Sequence, residues 1–314
     1  MAHETGTGKY EHLVARCKSL APVTTAVVHP CEQSALAGAA EAAAEGLITP
    51  IYVGPKARIA EIAAKGGIDL RGAEIVDAPH SHAAAQQAVA LVRESRAELL
   101  MKGSLHTDEL LGAVVARESG LRTGRRISHV FIMDVPTYHK VLIVTDAAIN
   151  IAPSLEDKVD ICQNAVDLAV SLGLKQPKVA VLAAVETVTS KMPATLDAAA
   201  LCKMAERGQI KGALLDGPLA FDNAISRDAA RTKGIKSEVA GDPDILLAPD
   251  LEAGNILAKL LSFLARSDSA GLVLGARVPI ILTSRADSVR ARIASCAVAM
   301  LAAHARRKAA AVAS

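Results

Sequence analysis

The chain has 314 residues and a formal net charge of +2, with 35 Lys and Arg against 33 Asp and Glu. This balance argues against a nucleic-acid-binding surface, because such surfaces carry a marked excess of basic residues. Only 2% of the residues are aromatic and none is Trp, so stacking platforms for bases or sugars are not expected.

The remaining composition is typical of a cytoplasmic protein. Five cysteines are dispersed without a CxxC pair, which indicates reduced thiols and gives no metal-site spacing. No run approaches the ~18 apolar residues that a membrane span needs. The polar N-terminal stretch MAHETGTGKYEHL lacks the apolar segment of a signal peptide. We therefore expect a protein that binds neither membrane nor nucleic acid.

Short β-rich runs alternate with Ala-rich segments in the first hundred residues. The runs that predict strands are TTAVVHP (24–30), TPIYVGP (49–55), AEIVDAP (73–79) and AELLMKGS (97–104). The segments EQSALAGAAEAAAEG and HAAAQQAVALVRESR between them predict helices. This spacing indicates βαβ units and a mostly parallel sheet that helices cover on both faces.

The alternation breaks at residues 129–150, where two β-rich runs are joined by only a few residues that include Pro136. So short a connection has no room for a crossover helix, so we predict an antiparallel pair at the passage into a second domain. The alternation then resumes, with strand candidates at 178–187, 212–217, 244–250, 270–276 and 278–284. The predicted fold class is α/β, with mostly parallel sheets.

Ligands in open parallel α/β sheets bind beyond the carboxyl ends of the strands, near helix N-termini. This rule selects stretches in which small, polar or charged residues follow an apolar run. They are MKGSLHTDELL (101–111), VTDAAIN (144–150), LLDGPLAFDNA (214–224), LAPDLEAGN (247–255) and LTSRADS (282–288).

The stretch at 101–111 places Lys102, Gly103 and Ser104 ahead of a predicted helix, followed by His106 and Thr107. A cation, a flexible backbone and hydroxyls at a helix N-terminus suit a phosphate. The alternative is an ordinary N-cap by Thr107 with acidic residues in the first turn, and spacing alone leaves both open. The stretch is no Walker A loop, and no GxGxxG follows the first strand.

The stretch at 282–288 ends an apolar run with Ser284 and Arg285. Ser284 can cap the next helix, and Asp287 lies three residues further on, close to a capping box. Capping leaves Arg285 unexplained, although its fork of donors matches a phosphate or a developing oxyanion. Arg290 and Arg292 are interpreted as solvated charges on the helix.

The histidines give weaker signals. His80 and His82 have a spacing that suits a metal, but no acidic partners cluster near them in the sequence, so a surface helix start is the simpler interpretation. His106, His129 and His139 lie near predicted strand ends, where one of them could line a binding site.

Taken together, these strand-end stretches resemble the phosphate acetyl/butyryltransferase family. The matching residues run in the family's order from about residue 98 to 290: MKGSLHTDELL, SHVFIMDVP, TDAAINIAP, LDGPLAFDNAIS, VAGDPDILLAPDLEAGNILAK and VPIILTSRADS. The likeness is greatest to the transferase part of bifunctional enoyl-CoA hydratase/phosphate acetyltransferase proteins. Residues 1–20 are too few to form a hydratase segment.

The resemblance implies two α/β domains similar to the isocitrate and isopropylmalate dehydrogenases, with the active-site cleft between them. Residues 1–140 and 285–314 would form the first domain, and residues 141–284 the second. The implied reaction is reversible: a short acyl-CoA, acetyl or butyryl, and phosphate give acyl phosphate and free CoA. CoA and phosphate are substrates, no metal or permanently bound cofactor is needed, and the family is typically a homodimer.

The resemblance also implies roles for the residues at the last strand end. Ser284 would hydrogen-bond the CoA sulfur, and Arg285 would oppose the charge that builds on the thioester carbonyl oxygen under attack. Acetyl-type members carry an Asp six residues beyond the Arg as the proposed base, whereas this chain has Ala291, and Asp287 is the nearest carboxylate. The predicted catalytic residues are Ser284, Arg285 and Asp287.

The predicted substrate-binding residues come from strand-end position and from the resemblance. They are Lys102, Gly103, Ser104, His106, Thr107, Arg126, Ser128, Asp146, Asn150, Asp216 and Asn223. Two alternatives remain open. One is a non-catalytic module that binds CoA or acyl phosphate, motivated by Ala291. The other is a metal- and NAD-dependent hydroxy-acid dehydrogenase of the same fold, for which no clustered Asp ligands are found.

Overall fold

The computed structural model describes residues 8–70, 72–283 and 288–313. In chain order its helices and strands are α1 Lys9–Cys17, β1 Val23–Val28, α2 Gln33–Ala44, β2 Ile48–Gly54, α3 Lys56–Gly66, β3 Ile75–Asp77, α4 Ser81–Arg93, β4 Leu99–Lys102, α5 Thr107–Val115, β5 Ser128–Asp134, β6 Leu142–Thr145, α6 Leu155–Ser171, β7 Lys178–Leu182, α7 Pro193–Glu206, β8 Leu214–Leu219, α8 Phe221–Ile225, α9 Arg227–Thr232, β9 Ile245–Leu247, α10 Leu251–Phe263, β10 Asp268–Leu274, β11 Ile280–Ile281 and α11 Val289–Ala313.

The chain divides into two compact units. Unit 1 comprises residues 1–9 and 126–269, and unit 2 comprises residues 10–125 and 270–314. The predicted domain boundaries, after residues 140 and 284, lie about 15 residues further along the chain than the bounds of these units. The difference has a clear origin in strand pairing, because β5 pairs with β6 inside unit 1, and β11 pairs with β4 inside unit 2.

In unit 2 the strand order is β3-β2-β1-β4-β11-β10. The strands from β3 to β11 run parallel to their neighbours, and β10 pairs with β11 in the antiparallel sense. Valines and isoleucines fill the strands because β-branched side chains pack well on a pleated surface. Ala-rich helices such as α2 lie close against them, since Leu36, Ala39 and Ala42 are buried at helical spacing.

The first turns of α11 correct one sequence-based interpretation. Arg292 is buried rather than solvated, and its guanidinium donates to the Ser34 carbonyl oxygen at the start of α2. Its side chain lies so close to Gly38 that a Cβ there would stand 2.8 Å from the Arg292 Cδ. Arg290 stacks on the Tyr10 ring, with 3.7 Å from the guanidinium carbon to the ring centroid.

In unit 1 the strand order is β5-β6-β9-β7-β8. β5 and β6 pair antiparallel, as the short connection through Pro136 predicted, whereas β6, β9, β7 and β8 run parallel. A core of apolar side chains from the strands and from α8, α9 and α10 covers one face of this sheet. No helix within the described residues is long and apolar enough to cross a membrane.

The packing of α10 against the carboxyl end of β6 is unusually close. A Cβ on Gly254 would stand 2.3 Å from the Asp146 carbonyl oxygen, a contact that side chains do not tolerate. The Asn255 amide also ties α10 to the loop after β6, because it donates to the Ala147 carbonyl oxygen. Asp250 caps the helix itself by accepting from the Ala253 N–H. The PDLEAGN stretch, residues 249–255, therefore packs directly against the loop after β6 and holds it in place.

We expect Gly254→Ala to lower the free energy of unfolding by about 1–3 kcal/mol, because the added methyl group pushes α10 away from β6. Gly112→Ala is the control, since a Cβ at this position in α5 meets nothing within 4 Å. Alanine there should stabilise the helix by up to ~1 kcal/mol. Urea unfolding of both variants measures the effects, and equal stability of the two would contradict the close approach.

Candidate active site

The carboxyl ends of β1 and β4 in unit 2 approach each other through their backbones. A Cβ on Gly103 would stand 2.3 Å from the Val28 carbonyl oxygen and 2.6 Å from the His29 carbonyl oxygen. The N–H groups of Gly103 and Ser104 donate to those two oxygens at 2.9 and 3.0 Å. Gly103 is thus required by the close contact, which also fixes the position of Ser104.

Ser104 forms several hydrogen bonds at this strand end. Its hydroxyl donates to the His29 carbonyl oxygen at 2.8 Å and accepts from the Cys31 N–H at 3.1 Å. The same oxygen lies 3.4 Å from the His29 Nδ1 atom. Lys102, also buried, directs its ammonium toward the Gly103 carbonyl oxygen at 3.5 Å. Backbone, hydroxyl and cation are thus gathered at one turn.

Helix α5 begins directly after this turn, and its N-cap is His106 rather than Thr107. The His106 N–H donates to Glu109 at 3.0 Å, so the first turn is closed by its own acidic residue. Glu109 also accepts from the Ser81 hydroxyl at 2.9 Å and lies 3.3 Å from the His82 Nε2 atom. The predicted cation, glycine, serine, histidine and threonine therefore follow one another around a single strand end.

The histidines before α4 form a helix start, as the sequence indicated. His80 is the N-cap of α4, and its Nδ1 atom accepts from the Ala83 N–H at 3.2 Å. Among the described residues, no group of three or more His, Cys, Asp or Glu side chains could hold a metal ion.

His29 is a residue of this site that the sequence analysis did not select. It directly follows β1 and lies beside Ser104, with a half-buried ring and a left-handed backbone (φ 51°). A histidine followed by proline at the end of an apolar run was the available signal. The stretch TTAVVHP predicts a strand that ends at Pro30 and by itself predicts no site residue.

A second group of polar residues gathers at the carboxyl edge of the sheet in unit 1. The Asp146 carboxylate is buried after β6 and accepts from the N–H groups of Ala148, Ile149 and Asn150 at 2.9–3.2 Å. The Asn150 side-chain amide donates to the same carboxylate and to the Ile127 carbonyl oxygen. Asp146 therefore fixes the loop after β6 and the orientation of the Asn150 side chain.

Asn150 in turn orients Arg126, which precedes β5. Its Oδ1 atom accepts from the Arg126 Nε–H at 2.8 Å, and an Nη atom of the same guanidinium lies 3.4 Å from Asp157. The Arg126 N–H donates to Asp160 at 2.8 Å. About half of the Arg126 side chain (53%) remains exposed, so an anion can reach the held guanidinium.

Ser128 and His129 lie deeper, at the start of β5. The buried Ser128 hydroxyl accepts from the Asn164 amide at 2.9 Å, and that amide also donates to the Arg126 carbonyl oxygen. Burial lowers the pKa of His129 to about 4, against the opposing effect of the Asp146 carboxylate. His129 is therefore neutral at pH 7. Ser128 supports the backbone of Arg126 through the Asn164 amide, which bonds both residues.

The remaining predicted residues belong to β8, three positions from β6 in the strand order, and to the helix after it. The Asp216 carboxylate accepts from the Gly217 N–H at 2.8 Å. The buried Asn223 amide donates to Glu186 at 3.2 Å, and Lys233 lies 3.2 Å from the same carboxylate. Hydrogen bonding from Lys233 lowers the pKa of Glu186, and Asn223 adds to the effect.

The predicted catalytic residues Ser284, Arg285 and Asp287 lie outside the described residues. Thr283, the residue before them, follows β11, which is the neighbour of β4 in the sheet. Ala291 is buried in the first turn of α11, and its backbone N–H donates to the Ser288 hydroxyl at 3.1 Å. A methyl side chain also offers no base at this position.

In both units buried polar groups gather at the carboxyl ends of parallel strands, as in α/β enzymes that bind anionic substrates. The cation beside them is buried in unit 2, where it is Lys102, and half-exposed in unit 1, where it is Arg126. Residues 80–300 match the family model described as phosphate acetyl/butaryl transferase. The chain belongs to this family of acyltransferase enzymes.

Individual relatives agree with the family match. The chain is 66% identical to a phosphate acetyltransferase of Rhizobium meliloti over 305 residues, which is 97% of this chain and 96% of the relative. It is 41% identical to a phosphate butyryltransferase of Clostridium acetobutylicum over 93% of this chain and 97% of the relative. A branched-chain phosphotransacylase structure from Enterococcus faecalis V583 matches with a TM-score of 0.77 and 31% identity, over 90% and 99% of the two chains.

Proposed function

We propose that the chain catalyses reversible transfer of a short acyl group, acetyl or butyryl, between CoA and inorganic phosphate, with acyl phosphate as product. The observation that carries this proposal is the turn at Lys102, Gly103 and Ser104, which gathers a cation, a hydroxyl and close-packed backbone ahead of α5. Relatives named for both acyl groups support it. CoA and phosphate act as substrates, and we propose no permanently bound cofactor.

The proposed phosphate ligands lie at two separate strand ends. Lys102 and Ser104 supply charge and a hydroxyl at the end of β4, with His106 and Thr107 beside them at the start of α5. Arg126 supplies an exposed guanidinium whose fork of donors matches phosphate oxygens. Because a guanidinium is useful only when it points correctly, Asn150 and Asp146 are proposed as positioning residues, with Ser128 supporting the backbone.

The chemical step rests on the residues that the family resemblance identifies. Ser284 is proposed to hydrogen-bond the CoA sulfur, and Arg285 to stabilise the oxyanion of the tetrahedral intermediate. Asp287 is proposed as the third catalytic residue, because it is the nearest carboxylate to Arg285 in the sequence. Asp216 and Asn223 are proposed contacts for the substrates at the end of β8.

The family resemblance further leads us to infer two domains like those of isocitrate and isopropylmalate dehydrogenases, with the active site in the cleft between them. The division of the chain into two compact units supports this inference. We also propose a cytoplasmic location, which the five free thiols support, since disulfides are rare in reducing compartments.

We propose that the protein is a homodimer that pairs through α10. Four large apolar side chains lie exposed on and just beyond this helix: Ile256 (64%), Leu260 (46%), Phe263 (76%) and Leu264 (79%). Their spacing of three to four residues places them on one face, and Ile151 (73%) lies in the segment that bonds the start of α10. Contiguous exposed apolar surface of this kind marks an interface.

The assay that tests the proposed activity follows free thiol released when the protein meets phosphate and either acetyl-CoA or butyryl-CoA. Arg285→Ala should lower kcat by roughly 100- to 1000-fold, because one oxyanion donor is lost. The control is Arg290→Ala, which also removes an arginine but one that contacts Tyr10 and Glu11, and it should retain full activity. The faster substrate assigns the chain length. CoA binding without thiol release would instead favour the non-catalytic binding module.

Asn150→Ala should raise the KM for phosphate about 10-fold, because the Arg126 guanidinium loses the acceptor that orients it, a loss of ~1.5 kcal/mol. The KM for acyl-CoA should change little. Asn255→Ala is the matched control, since its amide also holds the loop after β6 but bonds Ala147 and not Arg126. An equal rise in the control would show that loop order, and not guanidinium orientation, sets phosphate affinity.

Phe263→Glu should convert a dimer of two 32.5 kDa chains into monomers, because a charge within the apolar face of α10 cannot be buried unpaired. Light scattering during gel filtration measures the mass. Leu196→Glu, at an exposed apolar position on α7, should leave the dimer intact. A monomeric parent protein, or a Phe263→Glu variant that stays dimeric, contradicts pairing through α10.

A further inference from the structure

His29 occupies an unusual place at the carboxyl end of β1. Its backbone is left-handed, with φ 51°, a conformation that glycine and asparagine adopt more readily than histidine. The conformation is held from three sides: the His29 N–H donates to Val53 at 2.7 Å, and its carbonyl oxygen accepts from Cys31 and Ser104 at 2.8 and 3.0 Å. Strained residues that the fold holds in place cluster at functional sites.

The hydrogen bonds around Ser104 decide which ring nitrogen of His29 carries a proton. The Ser104 hydroxyl has one proton, which is directed to the His29 carbonyl oxygen at 2.8 Å and can reach phosphate only by turning away from that oxygen. Toward the His29 Nδ1 atom, 3.4 Å away, the serine oxygen can then act only as an acceptor. We therefore assign the hydrogen of the neutral ring to Nδ1, which leaves the lone pair on Nε2.

Burial, and not the charges around the ring, keeps His29 in its basic form. Burial lowers the pKa of His29 below its ordinary value, so the imidazole is neutral at pH 7. The carboxylates of Glu109 on α5 and Glu32 before α2 oppose this shift, whereas His80 before α4 adds to it. A neutral imidazole beside a phosphate-binding turn is suited to accept a proton.

We propose that His29 is a catalytic acid–base residue of the acyl transfer. The proposal rests on the proposed function and on phosphate bound at Lys102 and Ser104. Hydrogen phosphate attacks the thioester carbonyl carbon, and its O–H proton passes to His29 Nε2 as the new C–O bond forms. The C–S bond then breaks, and the imidazolium returns the proton to the departing CoA thiolate. The products are acyl phosphate dianion and neutral thiol, so the proton balances, and the reverse reaction uses the same steps.

This assignment supplies a proton acceptor beside the turn at Lys102 and Ser104. The position six residues beyond Arg285 is Ala291, whose side chain is a methyl group. Lys102 and Ser104 bind an anion but do not accept its proton at neutral pH, because the ammonium is already protonated and the hydroxyl is not basic. The His29 ring lies beside Ser104, and a neutral imidazole can accept a proton.

The decisive variant is His29→Asn, because asparagine tolerates the left-handed backbone and places an amide near the position of Nδ1, yet takes up no proton. We expect kcat for phosphate-dependent thiol release to fall about 100-fold or more, with KM for phosphate and acyl-CoA within about 3-fold. The fall of kcat/KM at acidic pH in the parent protein, caused by protonation of His29, should be absent from the variant.

A second variant separates catalysis from folding. His29→Gly fits the same backbone and leaves room for added imidazole, which should restore at least about 10-fold of the lost rate, as expected when a missing general base is supplied. His12→Asn, at an exposed position on α1, should behave like the parent protein. Circular dichroism and thermal unfolding confirm that each variant is folded.

Two results would overturn the role of His29: a kcat for His29→Asn within 3-fold of the parent, or a reduced kcat that keeps the parent's acidic limb and gains nothing from imidazole in His29→Gly. The second result would assign His29 to holding Ser104. Failure of the proposed function is a different observation, since the parent protein itself would then release no thiol in the presence of phosphate.

Discussion

The close approach of backbones at the carboxyl ends of parallel strands is the constraint on which both candidate sites depend. In unit 2 the β4 turn touches the backbone after β1, and only a glycine fits at position 103. In unit 1 the start of α10 touches the Asp146 carbonyl oxygen, and only a glycine fits at position 254. Such contacts leave no freedom to the loops that follow, so side chains on those loops are held before any substrate arrives.

The loops at the strand ends of the two units are held by different chemical groups. Unit 1 uses a buried carboxylate, because Asp146 collects three backbone N–H groups and the Asn150 amide, and thereby directs Arg126. Unit 2 uses a hydroxyl, because Ser104 joins the backbone on both sides of His29. Each unit thus has a buried polar group, Asp146 or Ser104, at its strand ends. It orients a neighbour that is partly exposed, either a guanidinium or an imidazole.

Patterns of apolar residues were enough to predict the strands and the antiparallel pair β5–β6, since both follow from local periodicity and connection length. The unit boundaries are harder to predict from the sequence, because β11 pairs with β4, far away in sequence, and β10 pairs with β11. Among the predicted site residues, Arg126 and Asn150 were selected separately, and the structure joins them by a hydrogen bond. The burial of Ser128 and Arg292 could not be foreseen, because it depends on partners from distant helices.

His29 shows why a motif search alone falls short at this site. Its significance comes from a left-handed backbone, a serine 75 residues away and a carboxylate on α5, none of which is visible in the sequence around Pro30. Phosphate attack on a thioester moves one proton, and the thiolate that leaves is a weak base. An acceptor with a pKa below neutrality can therefore give the proton up again, whereas a lysine would keep it.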